Sequence, residues 1–264
     1  MNYLMIDGFT IFGIEIKLYG ILIASAMLIA VFLAQYLAKK RGINPDDIIV
    51  LALIIIPFSI LGARLYYCIF SDTHYTFNTF WQIRNGGLAI YGGIIGGILA
   101  IVLFAIIKND YKLIVKLFDI FVPALILGQS IGRWGNFFNQ EAYGRLVTSP
   151  KWQWFPFAVK IETFLGYEWH LATFFYESIW NLIGFVLLLI AFKKFKKTGS
   201  VTGLYFVYYG LGRIWIEGLR TDSLYWGPLR VSQWLSAILV VIGTVILVYN
   251  YIGKQKDKNY EQKN

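Results

Sequence analysis

Arg133, Asn136 and Asn139 recur at every third residue, while Arg213 and Glu217 stand four apart with Arg220 three further on. On a helix each set lies along one face. Two guanidinium forks from different helices, with amide donors between them, match the oxygens of a phosphate bidentately. The chemistry these residues suit is capture of a phosphorylated group and stabilisation of negative charge that grows on it. Both sets end long apolar runs, where the phosphate within reach belongs to a phospholipid headgroup, and a cavity there would accept a lipid from the side.

The elements that must position them are membrane helices. Of 264 residues 58% are hydrophobic and 15% charged, with mean hydropathy +0.59, too little charge to cover a soluble surface. Residues 19–38 carry no charge, and at 1.5 Å per residue they span about 30 Å, the thickness of a bilayer core. Residues 88–107 and 231–252 are equally uncharged, and 48–70, 117–138, 171–192 and 199–216 are apolar with a few ionisable groups. The expected fold class is an all-α polytopic membrane protein of about seven spans in one integral membrane domain. The first span reads as retained, because no n-region or small-residue cleavage site precedes it.

The net charge of +9 fits the membrane surface better than nucleic acid. Lysines and arginines cluster at 39–41, at Lys108, Lys112 and Lys116, at 193–197 and at 254–258, in every second loop. The positive-inside rule then places the N-terminus outside and the C-terminus in the cytoplasm. Residues 71–87 and 139–170 become outer loops rich in aromatic residues, and the second alternates as a strand or hairpin does, forming a small outer cap. With this orientation Arg64, Arg133, Asn136, Asn139, Tyr176, Glu177, Arg213 and Glu217 all fall at the outer ends of their spans, with Arg220 just beyond. Asp119, near an inner end, is the exception. Snorkelling arginines paired with local carboxylates explain single charges, but not so many segments agreeing in depth.

Cys68 stands alone and forms no intramolecular disulfide. His74 and His170 have no Cys or carboxylate neighbours at metal-ligand spacing, so no metal is expected. Gly92, Gly93, Gly96 and Gly97 occupy adjoining helix faces, suited to close helix packing or, alternatively, to the approach of a ligand.

The stretch GRWGNFFNQEAYG (132–144) resembles the signature of the prolipoprotein diacylglyceryl transferases, Gly-Arg-x-Gly-Asn-Phe-x-Asn-x-Glu-x-x-Gly. LYG (18–20), GARLYY (62–67), GGLAIYGG (86–93), YES (176–178) and GRIWIEGLR (212–220) extend the resemblance over nearly the whole chain. It implies an enzyme of the bacterial cytoplasmic membrane whose site faces the outer leaflet. Such an enzyme transfers the diacylglyceryl group of phosphatidylglycerol to the thiol of the lipobox cysteine in a prolipoprotein. A thioether forms and glycerol-1-phosphate leaves, with no cofactor. Carried over by position, Arg133, Asn136, Glu141 and Gly144 take the signature's functional places, Arg213, Glu217 and Arg220 the second basic cluster, and Tyr19 the tyrosine of the first span. Arg133 and Arg213 suit the growing phosphate charge, Asn136 the headgroup glycerol, Glu141 an arginine or a hydroxyl, and Gly144 a tight turn or close lipid approach.

Two departures from the family pattern concern proton transfer. Tyr91 stands where many relatives have a histidine, and the His-Pro pair before the fifth-span Tyr-Glu is missing, His170 being one position out of register and Ala172 replacing the proline. Tyr91 is read either as interfacial packing or as a hydroxyl that orients thiol or headgroup. A phospholipid transporter or flippase is the competing reading. It would need charges along a full path and paired broken helices, whereas here the charges stop at the outer half. A scaffold protein would need no such constellation at all.

Overall fold

The computed structural model describes residues 8–11, 13–71, 76–83, 86–163, 166–221 and 225–261. His74 lies outside them. A hairpin of β1 (Gly8–Ile11) and β2 (Ile14–Lys17) leads into α1 (Leu18–Lys40), followed by α2 (Pro45–Phe70), the single turn α3 (Phe77–Phe80), α4 (Ile90–Ile107) and α5 (Lys112–Phe138). The hairpin of β3 (Ala158–Thr163) and β4 (Gly166–Leu171) precedes α6 (Thr173–Lys194) and α7 (Ser200–Glu217). A two-residue pair of β5 (Tyr225–Trp226) and β6 (Leu229–Arg230) then opens α8 (Val231–Glu261).

Six of these helices, α1, α2, α4, α5, α6 and α8 as far as Gly253, are long and apolar enough to cross a membrane, making a multi-pass membrane protein. Their outward side chains are apolar too: Phe32, Leu53 and Val241 are more than 60% exposed, as lipid-facing residues are. The expected helix at 199–216 forms as α7, yet it does not meet that apolar standard. Tyr205, Tyr208, Tyr209, Arg213 and Glu217 all lie in its 18 residues. It packs against α6 and α8, which shelter its polar side.

The chain forms two compact units, Met1–Ala30 with Phe121–Asn264, and Val31–Ile120. In the second, α2 starts sharply because Asn44 caps it by accepting from the Asp46 amide at 3.1 Å and Pro45 opens its first turn. Lys108 at the end of α4 bonds Asp47 at 2.7 Å. The two helices approach through glycine. A Cβ on Gly96 would fall on the Phe58 carbonyl, and one on Gly92 on the Gly62 carbonyl, whereas on Gly93 it would meet only ordinary contacts at 3.6 and 3.7 Å. Close packing is thus what Gly92 and Gly96 serve. Gly96→Ala is expected to cost about 1–3 kcal/mol by overpacking, and Gly93→Ala to stay within about 0.5 kcal/mol. Thermal unfolding of the two variants in detergent reads the difference, and equal Tm values would contradict this packing.

Buried Arg64 organises the loop between α2 and α4. Its Nε donates to the Phe80 carbonyl at 2.7 Å, Nη2 to Thr79 at 2.7 Å, and Nη1 to Gly86 and Gly87 at 2.9 and 3.0 Å. Gly86 and Gly87 adopt φ +85° and +77°, and a Cβ on Gly87 would strike the guanidinium. Arg64 therefore shapes backbone, a role its position in the last two turns of α2 did not reveal.

Candidate active site

The signature turns sharply where α5 ends. The Glu141 amide bonds back to the Asn136 carbonyl at 3.0 Å, and the two residues flanking Glu141 take left-handed backbone, Gln140 at φ +49° and Ala142 at φ +57°. This carries the Glu141 carboxylate over the helix end, where its Oε1 accepts from Asn136 Nδ2 at 2.9 Å and Asn139 Nδ2 at 3.2 Å. Asn136 Oδ1 in turn accepts from Arg133 Nη1 at 3.2 Å. The spacing of three that placed Arg133, Asn136 and Asn139 on one face thus becomes a relay, and Glu141 reaches Arg133 through Asn136.

Two further helices complete the network. Arg133 Nη2 meets Glu177 Oε1 of α6 at 2.9 Å, and Arg213 Nη1 of α7 meets Glu177 Oε2 at 2.9 Å. Arg213 Nη2 pairs with Glu217 Oε2 at 2.7 Å, one turn on. Glu177 and Glu217 are buried, each 3% exposed. The group standing between the two arginines is therefore a carboxylate and not, as the sequence suggested, an amide. In this apolar setting the attractions are little screened, and Arg133 and Arg213 are both in direct ion pairs with buried carboxylates. Tyr209, four residues before Arg213 on α7, stacks on Tyr205 with ring centroids 5.4 Å apart and lies within electrostatic reach of Arg133, Glu177, Arg213 and Glu217. Sequence reading missed Tyr209, although its spacing to Arg213 and Glu217 was a signal, and noted the depth of Glu177 without seeing that it would bridge.

The remaining site residues are placed as follows. Tyr19 lays its ring on the α5 backbone, where a Cβ on Gly135 would come within 2.9 Å of Tyr19 Cε2. Gly144 pairs as an antiparallel bridge with Arg220, and a Cβ there would press Leu171, Thr173 and the Leu219 carbonyl, so its smallness serves backbone packing. Arg145 Nη2 donates to the Gly218 carbonyl at 3.0 Å, and Arg230 Nη2 to that of Arg220 at 2.7 Å, holding the chain that leaves α7 from two sides. The 139–170 segment does form a hairpin, and its buried His170 bonds the Gly144 carbonyl through Nδ1 at 2.9 Å. A carbonyl only accepts, so Nδ1 carries the proton, and His170 is a strut of the cap. The Tyr176 hydroxyl donates to the Phe157 carbonyl, tying α6 to the same cap. Tyr91 lies in the other unit, near the start of α4, 39% exposed with its ring 6.2 Å from that of Tyr66. Among the described residues no three His, Cys, Asp or Glu side chains gather as a metal site.

An arginine–carboxylate network of α5, α6 and α7, with Glu141 brought onto it by a structured turn, stands inside a multi-pass membrane protein. The prolipoprotein diacylglyceryl transferase family model matches residues 8–249, and the chain belongs to that family. Phosphatidylglycerol–prolipoprotein diacylglyceryl transferases from Streptococcus pneumoniae strains JJA, Hungary19A-6 and P1031 are each 44% identical to it over 242 residues, 89% of this chain and 90% of theirs.

Proposed function

We propose that this chain transfers the diacylglyceryl group of phosphatidylglycerol to the thiol of a prolipoprotein's lipobox cysteine, the first step of lipoprotein maturation. The observation that carries the reading is the Arg133–Glu177–Arg213 bridge, built on the family signature. The names of the relatives support both substrates and lend nothing to a transporter or flippase. In the reaction the thiol sulfur bonds the terminal glyceryl carbon, and the carbon–oxygen bond to phosphate breaks. Glycerol-1-phosphate leaves with one more negative charge than the phosphodiester held. The thiol proton passes to water or to the departing phosphate, and no metal or organic cofactor enters this balance.

Glu177 holds both guanidiniums before the lipid arrives, so their remaining N–H groups face the phosphate without reorganising as its charge grows. Asn136, held between Arg133 and Glu141, orients the headgroup glycerol. Asn139 fixes Glu141, while Tyr19, Gly144, Glu217 and Arg220 complete the lipid site. The site faces the outer leaflet of the bacterial cytoplasmic membrane, in one membrane domain that crosses seven times with α7 as its most polar span, N-terminus outside and C-terminus inside. Nucleic acid has no part in it.

Incubating the purified protein with phosphatidylglycerol vesicles and a lipobox peptide tests the reading. A peptide gaining one diacylglyceryl group in thioether linkage supports it, and lipid movement without that product overturns it. Tyr91→Phe removes only a hydroxyl and is expected to slow transfer roughly 10–100-fold, less than loss of a full general base. Unchanged turnover in this assay would return Tyr91 to packing.

A further inference from the structure

α6 carries another buried polar group one turn beyond Glu177, toward the middle of the helix. Asn181 is 1% exposed, and neither its Nδ2 nor its Oδ1 has a hydrogen-bond partner. Its neighbours in sequence show which way it faces. Glu177, four residues before, meets Arg133 and Arg213. Ser178, three before, bonds Ser130 of α5, and Gly184, three after, lies against Ile126 of α5 and Tyr208 of α7. Asn181 is thus directed between α5 and α7, beneath the ion network. Other polar side chains on these three helices are paired: Gln129 Nε2 donates to the Tyr205 hydroxyl at 3.2 Å, and Ser130 and Ser178 lie 3.1 Å apart.

An amide kept dry and unpaired weakens the fold, a cost that an apolar side chain of the same branched shape does not carry. In the apolar span of a membrane enzyme such a group points to a ligand. A phospholipid whose phosphate sits at Arg133 and Arg213 directs its two ester carbonyls toward the bilayer centre. Asn181 lies in that direction, about 6 Å further along the helix than Glu177. An ester carbonyl accepts but does not donate, which suits Nδ2.

We propose that Asn181 recognises the ester region of the lipid substrate, its Nδ2 donating to an acyl carbonyl of the diacylglyceryl group as the lipid enters between α5 and α7. This rests on the phosphatidylglycerol reading above. The probe is phosphatidylglycerol with ether-linked chains of the same length, which keeps phosphate, glycerol and tails and lacks only the carbonyls. The wild-type protein is expected to favour the diester over the diether about five- to tenfold in kcat/KM, the worth of one hydrogen bond. Asn181→Leu is expected to lose that preference by slowing on the diester alone. Equal use of both lipids by the wild type would overturn the proposal, as would an undiminished preference in Asn181→Leu. Absence of product with either lipid and either protein would instead overturn the transferase reading.

Discussion

Arg133→Gln is expected to lower transfer by about 10²–10³-fold, the usual loss when one preorganised donor to a growing anion is removed. The variant should still insert and fold, because Glu177 keeps its bond to Arg213 and Asn136 keeps Glu141. Arg213 is a poorer probe, since it serves two buried carboxylates at once, and its loss would damage the fold as well as the chemistry. Arg133→Lys should also be impaired. One ammonium cannot span Glu177 and Asn136 in the planar geometry that Nη2 and Nη1 provide and still offer a donor to phosphate. The measurement is kcat/KM for peptide lipidation in phosphatidylglycerol vesicles, beside the Tm of each variant. Near-normal transfer by Arg133→Gln would remove Arg133 from the site.

Glu177→Gln is expected to be costly in a different way. Its carboxylate neutralises two guanidiniums from two helices, and the amide would leave an excess buried positive charge. Breaking a buried pair by removing one partner costs about 3–5 kcal/mol. Thermal unfolding should therefore fall by on the order of 10 °C, and transfer should drop with it, because the two arginines are no longer held. Adding Arg213→Gln to Glu177→Gln should lose less stability than the sum of the single variants, since the second change removes part of the unbalanced charge. A stable Glu177→Gln protein, or strict additivity in the double variant, would show that the bridge contributes little.

The sequence by itself determined a good deal. Charge-free blocks of bilayer length predict the helices within a few residues, because lipid leaves no alternative for a long apolar run. The spacings of Arg133, Asn136 and Asn139 and of Arg213 and Glu217 place each set on one face, and the Arg213–Glu217 pair formed as that spacing implies. The alternation in 139–170 announced its hairpin. Those are local properties, set by helical and strand period.

Only the tertiary structure decided which faces meet. Nothing near Glu177 in the chain says that it will stand between Arg133 and Arg213, 44 residues before it and 36 after it. That pairing exists because α5, α6 and α7 bring two half-buried guanidiniums to one buried carboxylate, in a medium where the carboxylate cannot remain unpaired. The same reason gave Arg64 to backbone carbonyls of its own loop, where it serves a turn and not a phosphate. It gave His170 to the Gly144 carbonyl inside the cap. α7 could keep an arginine, a glutamate and three tyrosines because neighbouring helices, and not its own composition, shield them from lipid.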